Sequence, residues 1–187
     1  MKTISLYAVI LFSIFSFNTI NAQSVKKATL QASGLTCSMC SNAINKALRK
    51  IDYIENVRAN IQTSSFDITF KPGANVKFDD LKTKVEDAGF SVANLTATVD
   101  FSNASIANDE HMKVDDMVFH FINIKDQVLN GSKNIRILDK GYVSSKEFKK
   151  NEQFTKKECY KTGKAGSTSC CSKDGIAAGT RIYHVTI

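Results

Sequence analysis

The amino-acid sequence predicts an α+β chain in two parts: a strand–helix–strand–strand–helix–strand unit over residues 23–98, followed by a small β-rich domain over residues 99–187. Two observations carry this reading. Up to Thr98 the spacing of apolar residues switches between a period of two and a period near 3.6, in that order of elements. Beyond Thr98, short strand-like runs dominate and one helical segment interrupts them.

Residues 1–22 stand apart as an export signal. Lys2 is the single charge, Ile4 to Phe17 is largely apolar, and the chain turns polar at Asn18 ahead of a cleavage point at Ala22-Gln23. This predicts a secreted or periplasmic protein. No second run of about 18 apolar residues follows, so no membrane span is expected in the mature chain.

Ala28, Leu30 and Ala32 alternate with Thr29 and Gln31 and mark the first strand. A loop at Gly34 follows. Cys40, Ala43, Ile44, Ala47, Leu48 and Ile51 then recur at helical spacing, with Ser38 expected as N-cap. Alternation returns at Val57, Ala59, Ile61 and at Phe66, Ile68, Phe70, on either side of the polar Gln62–Ser65 turn, which makes a hairpin. Pro72-Gly73 ends it. Phe78, Leu81, Val85 and Ala88 form a second helical stripe, with Asp79 and Asp80 at its positive end and Gly89 placed to stop it. Phe90, Val92 and Leu95 open the last strand of the unit. This element order is the ferredoxin-like one, with two helices over one face of a four-stranded antiparallel sheet.

Charge excludes one function class. The protein carries 25 Lys+Arg against 18 Asp+Glu, but the excess is spread over both parts, and the Lys-rich stretch 146–164 is broken by Glu147, Glu152 and Glu158. No basic block or basic–aromatic platform points to nucleic acid.

The chemistry concentrates in GLTCSMC, residues Gly34 to Cys40. Two thiolates, Cys37 in the loop and Cys40 in the first helical turn, converge where the helix dipole and free N–H groups favour anions and lower thiol pKa. A pair of soft sulfur ligands with no histidine or carboxylate suits a soft, low-coordinate ion such as Cu(I), with zinc, mercury and cadmium as further candidates. A structural zinc site wants four ligands, and no second C-x-x-C follows. A thiol–disulfide oxidoreductase pair shares the same helix start, and a plain disulfide is a third alternative. Together with the hairpin VRANIQTSSFDITFKP and the helix LKTKVEDAGF, GLTCSMC makes residues 26–98 resemble a heavy-metal-associated domain. That family includes copper chaperones and the metal-binding domains of copper-transporting P-type ATPases. The resemblance implies a non-enzymatic metal-binding protein that captures an ion through Cys37 and Cys40 and exchanges it with a donor or acceptor protein. It also implies a metal loop of Gly34, Leu35 and Thr36, with leucine where the family usually has methionine, and Phe90 as an apolar lid. A metal sensor or adaptor acting through residues 99–187 is a further reading.

Residues 99–187 offer less. Strand-like runs lie at Ala97–Phe101, Met117–Ile124, Ile135–Leu138 and Arg181–Ile187, Asn130-Gly131 reads as a turn, and Ser144 with Glu147 opens a helix near Ser145–Gln153. An OB-like barrel is one candidate shape. The five cysteines are an odd number for an exported chain. Cys159 is expected to pair with Cys170 or Cys171 and staple the loop between them, with a second thiolate cluster of these three as the alternative. His120 lies between Phe119 and Phe121 and reads as structural. His111, Met112 and Met117 carry side chains known as copper ligands, but each stands singly.

Overall fold

A computed structural model describes residues 24–35, 37–166 and 170–187. The expected leader, Thr36 and the side chain of Cys170 lie outside the described residues.

Eight strands form one mixed sheet, in the order β2-β3-β1-β4-β7-β8-β6-β5. The first part supplies β1 (Ser24–Ser33), α1 (Ser38–Leu48), β2 (Ile54–Asn60), β3 (Ser65–Phe70), α2 (Phe78–Asp87) and β4 (Ser91–Ile106). Its strands lie antiparallel in the ferredoxin-like order, with β1 between β3 and β4. Ala28, Leu30 and Ala32 are buried while Thr29 and Gln31 are exposed, so the alternation in the sequence is the pleat of a strand with one covered face. Ile44 and Leu48 of α1 and Phe78, Leu81 and Val85 of α2 cover that face. The sequence stripe is trimmed at one point, since Ala43 turns to solvent and Ser41 inward.

The second part is β5 (Glu110–Val114), β6 (Met117–Phe121), β7 (Gln127–Ile137), α3 (Ser145–Asn151), a 3-10 turn Glu152–Phe154, α4 (Cys159–Thr162), α5 (Cys170–Lys173) and β8 (Ile182–Thr186). Among the described residues no separate OB-like barrel forms, and these strands extend the first sheet. The cause is β4, which is 16 residues long. It runs unbroken through Thr98 and Val99, pairing with β1 over Ser91–Asp100 and with β7 over Thr96–Ile106. Asn130-Gly131 is not a turn but lies inside β7 opposite Phe101, where the register shifts. Gly131 has φ +70°, a left-handed conformation glycine adopts without strain, and the extra residue of the shift lies on β4, where Ser102 and Asn103 stand against Asn130, so β7 continues instead of reversing.

One apolar core serves both parts. Phe78 of α2 stacks on Phe119 of β6 at 6.3 Å and meets Tyr183 of β8 edge-on at 5.1 Å. On the opposite face of β6 and β8, Val118, Cys159, Ala165, Cys171 and Ile182 form a second buried cluster. Ser144 caps α3 by accepting from the Glu147 N–H at 3.2 Å, but the Glu147 carboxylate goes to Arg136 at 2.6 and 3.1 Å instead of closing the capping box.

A charged joint ties the parts together. Arg181, just before β8, donates to Asp79 in the first turn of α2 at 2.7 and 3.2 Å and to Asp139 at 2.8 Å. Tyr142 donates to Asp79 at 2.8 Å, and Asp139 contacts His184 Nδ1 at 2.5 Å. Burial opposes the charge on Asp79, but hydrogen bonds and attraction from Arg181 outweigh it and hold the carboxyl below its ordinary value.

Replacing Arg181 with alanine leaves the buried Asp139 carboxylate without its cation. The expected cost is about 3 kcal/mol, the low end for a broken buried pair because Arg181 is 28% exposed. Urea unfolding measures it. The pH dependence has a definite sign: Asp79 has a depressed native pKa, so its contribution is present above the unfolded value of 3.8 and is lost as pH falls through the lower native one. That acid-side loss should shrink in Asp79→Asn.

Candidate metal centre

The loop between β1 and α1 places the first pair of thiols. Gly34 has φ +81°, which turns the chain out of β1, and Leu35 packs against the core and anchors the loop. Cys37 itself is the N-cap of α1, with φ −152° and ψ 161°, and its sulfur accepts from the Cys40 N–H at 3.3 Å. The cap expected at Ser38 therefore falls one residue earlier. A thiolate at this position serves an orphan N–H of the first turn as Ser or Asp would.

The geometry brings Cys37 and Cys40 together. Their sulfurs lie 2.8 Å apart and both are free thiols. Cys37 is exposed and Cys40 half-buried. Hydrogen bonding from the Cys40 side chain, then from its backbone N–H, holds the Cys37 thiol below its ordinary value. A metal held by two thiolates at about 2.3 Å each needs the sulfurs farther apart than this. The exposed loop end of Cys37 is the side free to move. Phe90, half-buried against the core, follows Gly89 and precedes β4. Since Ser91 pairs with Ser33, the Phe90 loop and the thiol loop share one end of the sheet. Met39 in the middle of the pair is 81% exposed.

The second part holds a group that sequence reasoning missed. His111 of β5 pairs in register with His120 of β6, which pairs with His184 of β8, so three histidines form a row across neighbouring strands. Their rings are 4.5 and 5.0 Å apart in sequence along the row. Cys159 of α4 lies against the row, its sulfur 3.6 Å from His111 Nε2 and 3.8 Å from His120 Nδ1. Cys171 of α5 is 3.9 Å from His111 Nε2. Cys171 is a free thiol, so the expected link between it and Cys159 is not made. Burial first, then the neighbouring His184, His111 and Lys157 charges, push His120 down to about 3. Burial likewise lowers His111, against the opposing effect of its hydrogen bond to the Asp174 carboxylate. His120 is thus fully buried, but beside a thiol and not simply among aliphatic neighbours. The missing signal was β5: its polar run EHMKV gives no alternation, and without it His111 has no register.

Comparison with known proteins bears on the first part. The heavy-metal-associated domain pattern matches residues 29–91. A copper-exporting P-type ATPase of Staphylococcus saprophyticus is 37% identical over 75 residues, which is 40% of this chain and 9% of the ATPase. That of Staphylococcus aureus is 31% identical over 84 residues, 45% and 10% of the two chains. This chain thus spans about a tenth of these relatives' length. Among solved structures, a yeast copper transporter domain studied in apo and Cu(I)-loaded states is 31% identical, covering 35% of this chain and 88% of that one, with a TM-score of 0.32. Oxidised MerP from Ralstonia metallidurans is 30% identical, covering 37% and 97%, with a TM-score of 0.34.

The lowered Cys37 thiol and its exposure yield a selective reaction. With limiting iodoacetamide near neutral pH, peptide mapping should find Cys37 alkylated ahead of Cys40, Cys159 and Cys171, because the thiolate is the nucleophile and the last two are buried.

Proposed function

We propose, from the match of residues 29–91 to the heavy-metal-associated domain, that this chain captures Cu(I) through Cys37 and Cys40 and hands it on by ligand exchange. The observation that carries the reading is the thiol pair itself: two sulfurs 2.8 Å apart, at the start of α1, with the Cys37 thiol lowered and exposed. Thiolates are soft ligands, and a two-sulfur set favours a soft ion over oxygen-seeking cations. The relatives named for copper export support copper among the soft ions.

Transfer follows from the openness of the site. Two ligands leave coordination positions vacant, and the exposed Cys37 side admits an incoming thiolate before either original bond breaks. The ion then moves through a three-sulfur intermediate without becoming free. No group has to supply or accept a proton at the reacting centre, provided both thiols are already deprotonated. Metal uptake displaces those protons, so affinity falls as pH drops. The lowered Cys37 thiol limits that loss. Neither step is catalysis; the protein is carrier, not enzyme. Delivery from an exported carrier, as the leader sequence implies, takes place where thiols meet oxidants, and a disulfide between Cys37 and Cys40 would remove both ligands.

Two outcomes are expected. Cys37→Ser with Cys40→Ser should lose Cu(I) binding in competition with a chromogenic Cu(I) chelator, and retained affinity in the reduced double variant would place the site elsewhere. Under mild oxidation, bound Cu(I) should protect Cys37 and Cys40 from forming a disulfide, as read by mass-spectrometric mapping. A pair that instead turns over protein disulfides in an insulin-reduction assay would favour oxidoreductase chemistry.

A further inference from the structure

The row of histidines poses a separate question, because buried imidazoles beside buried thiols are costly to keep unless their polar atoms have work. We propose that His111, His120 and Cys159 form the core of a second metal site, with Cys171 beside His111 as the fourth ligand, for a divalent ion of the zinc class bound through two imidazole nitrogens and thiolate sulfur. The proposal does not depend on what Cys37 and Cys40 bind.

The donor atoms face one another. His111 Nε2, His120 Nδ1 and the Cys159 sulfur all lie within 4.8 Å of one another. Zinc bonds of about 2.0–2.1 Å to nitrogen and 2.3 Å to sulfur, at the tetrahedral angle, put each N···S pair about 3.6 Å apart. The three N···S separations here are 3.6, 3.8 and 3.9 Å. These are the distances of S–H···N contacts, and they match the N···S spacing of ligands around one ion, so an ion can enter without rearranging the donors.

Each imidazole is also oriented from behind. Asp174 Oδ2 lies 2.6 Å from His111 Nδ1, and Asp109 Oδ1 lies 2.8 Å from His120 Nε2. A carboxylate accepts, so each of these nitrogens carries the proton, and the lone pair on the other nitrogen faces the thiols. One histidine thus offers Nε2 and the other Nδ1. This carboxylate–histidine arrangement fixes the tautomer and raises ligand basicity in metal sites. The His111 and His120 side chains are 2% and 0% exposed, Cys159 is 1% and Cys171 0%, so water is excluded from the group. Lys157, which donates to the Asp109 carbonyl, adds one positive charge nearby. Two thiolates and the Asp109 and Asp174 carboxylates more than offset it and the charge of a divalent ion. Nitrogen and sulfur together select borderline ions of the zinc kind over magnesium or calcium.

Cobalt serves as the probe, in the full chain carrying Cys37→Ser and Cys40→Ser and kept reduced. One equivalent of Co2+ should bind with a thiolate-to-cobalt charge-transfer band and the intense visible absorption of a tetrahedral site, and Zn2+ should bleach both. On Zn2+ binding to the same protein, nitrogen NMR should shift Nε2 of His111 and Nδ1 of His120. Asp174→Asn, which keeps the ligands and removes an orienting carboxylate, should weaken affinity about 10- to 100-fold. Absence of the charge-transfer band, binding that leaves both imidazole nitrogens unshifted, or unchanged affinity in a folded Asp174→Asn protein would each overturn the site.

Discussion

The long strand β4 is the element on which the placement of every functional side chain depends. A sheet transmits its pleat from strand to strand: once β4 is in register with both β1 and β7, the side facing α1 and α2 is fixed across all eight strands. Phe119 and Tyr183 therefore join the core beneath α2, while His120 and His184, one residue along, are forced to the other face. A slip of one residue between β4 and β7 would exchange these sets, burying imidazoles against Phe78 and exposing the aromatic rings. Such a slip is opposed twice: by the apolar area it would expose, and by the Arg181 joint to Asp79 and Asp139, which fits one register only.

The same strand order sets the two groups of thiols apart. Between β1, which leads into the Cys37 loop, and β8, which carries His184, there are three strand spacings, on the order of 14 Å at about 4.8 Å each. No single ion spans that gap, and a thiol at α4 or α5 does not reach Cys37 in the folded chain. The two groups differ in chemistry as well as place. Cys37 is open to solvent and Cys40 half-buried in the first turn of α1, and the pair holds only sulfur at a loop–helix junction, which suits exchange. His111, His120, Cys159 and Cys171 are buried, mix nitrogen with sulfur and are braced by carboxylates, which suits retention.

Much of the first part was legible in the sequence because its signals are local. The switch of apolar period at Gly34, the stripe Phe78–Leu81–Val85 and the C-x-x-C spacing each lie within about a dozen residues, and each appears in the structure as an element. The cap at Cys37 escaped because Ser38 is the commoner capping residue and thiols are seldom considered for that role. In the second part the decisive events are not local. Asn130-Gly131 has the composition of a hairpin turn, yet β4 is long enough to pair on both sides of it, so tertiary pairing carries β7 straight through the glycine. His120 and His184 are 64 positions apart and meet through the parallel pairing of β6 with β8, which no periodicity reveals. Cys159 and Cys171 were visible, but their relation to the histidines was not, because only the fold places α4 and α5 over that face.

Two donor sets in one chain raise the question of why each ion would not occupy either site. Affinity alone does not separate them, since thiolates attract most late transition metals. Coordination geometry does. A two-coordinate ion loses little by binding only Cys37 and Cys40, whereas a zinc-class ion there keeps at most two protein ligands and must complete its shell with water or a partner. At the buried group the balance would reverse: two imidazoles and the Cys159 sulfur lie within 4.8 Å of one another, with Cys171 beside His111, which is nearer to the shell a divalent ion demands, and the carboxylates behind the imidazoles supply charge that a monovalent ion needs less. Exchange rate follows the same division, because leaving the exposed pair requires movement of one loop residue, while leaving the buried group requires α4 or α5 to lift from the sheet. With both proposed sites, selectivity would arise from where the fold puts cysteine, next to another cysteine at a helix start or beneath a row of histidines, more than from cysteine itself.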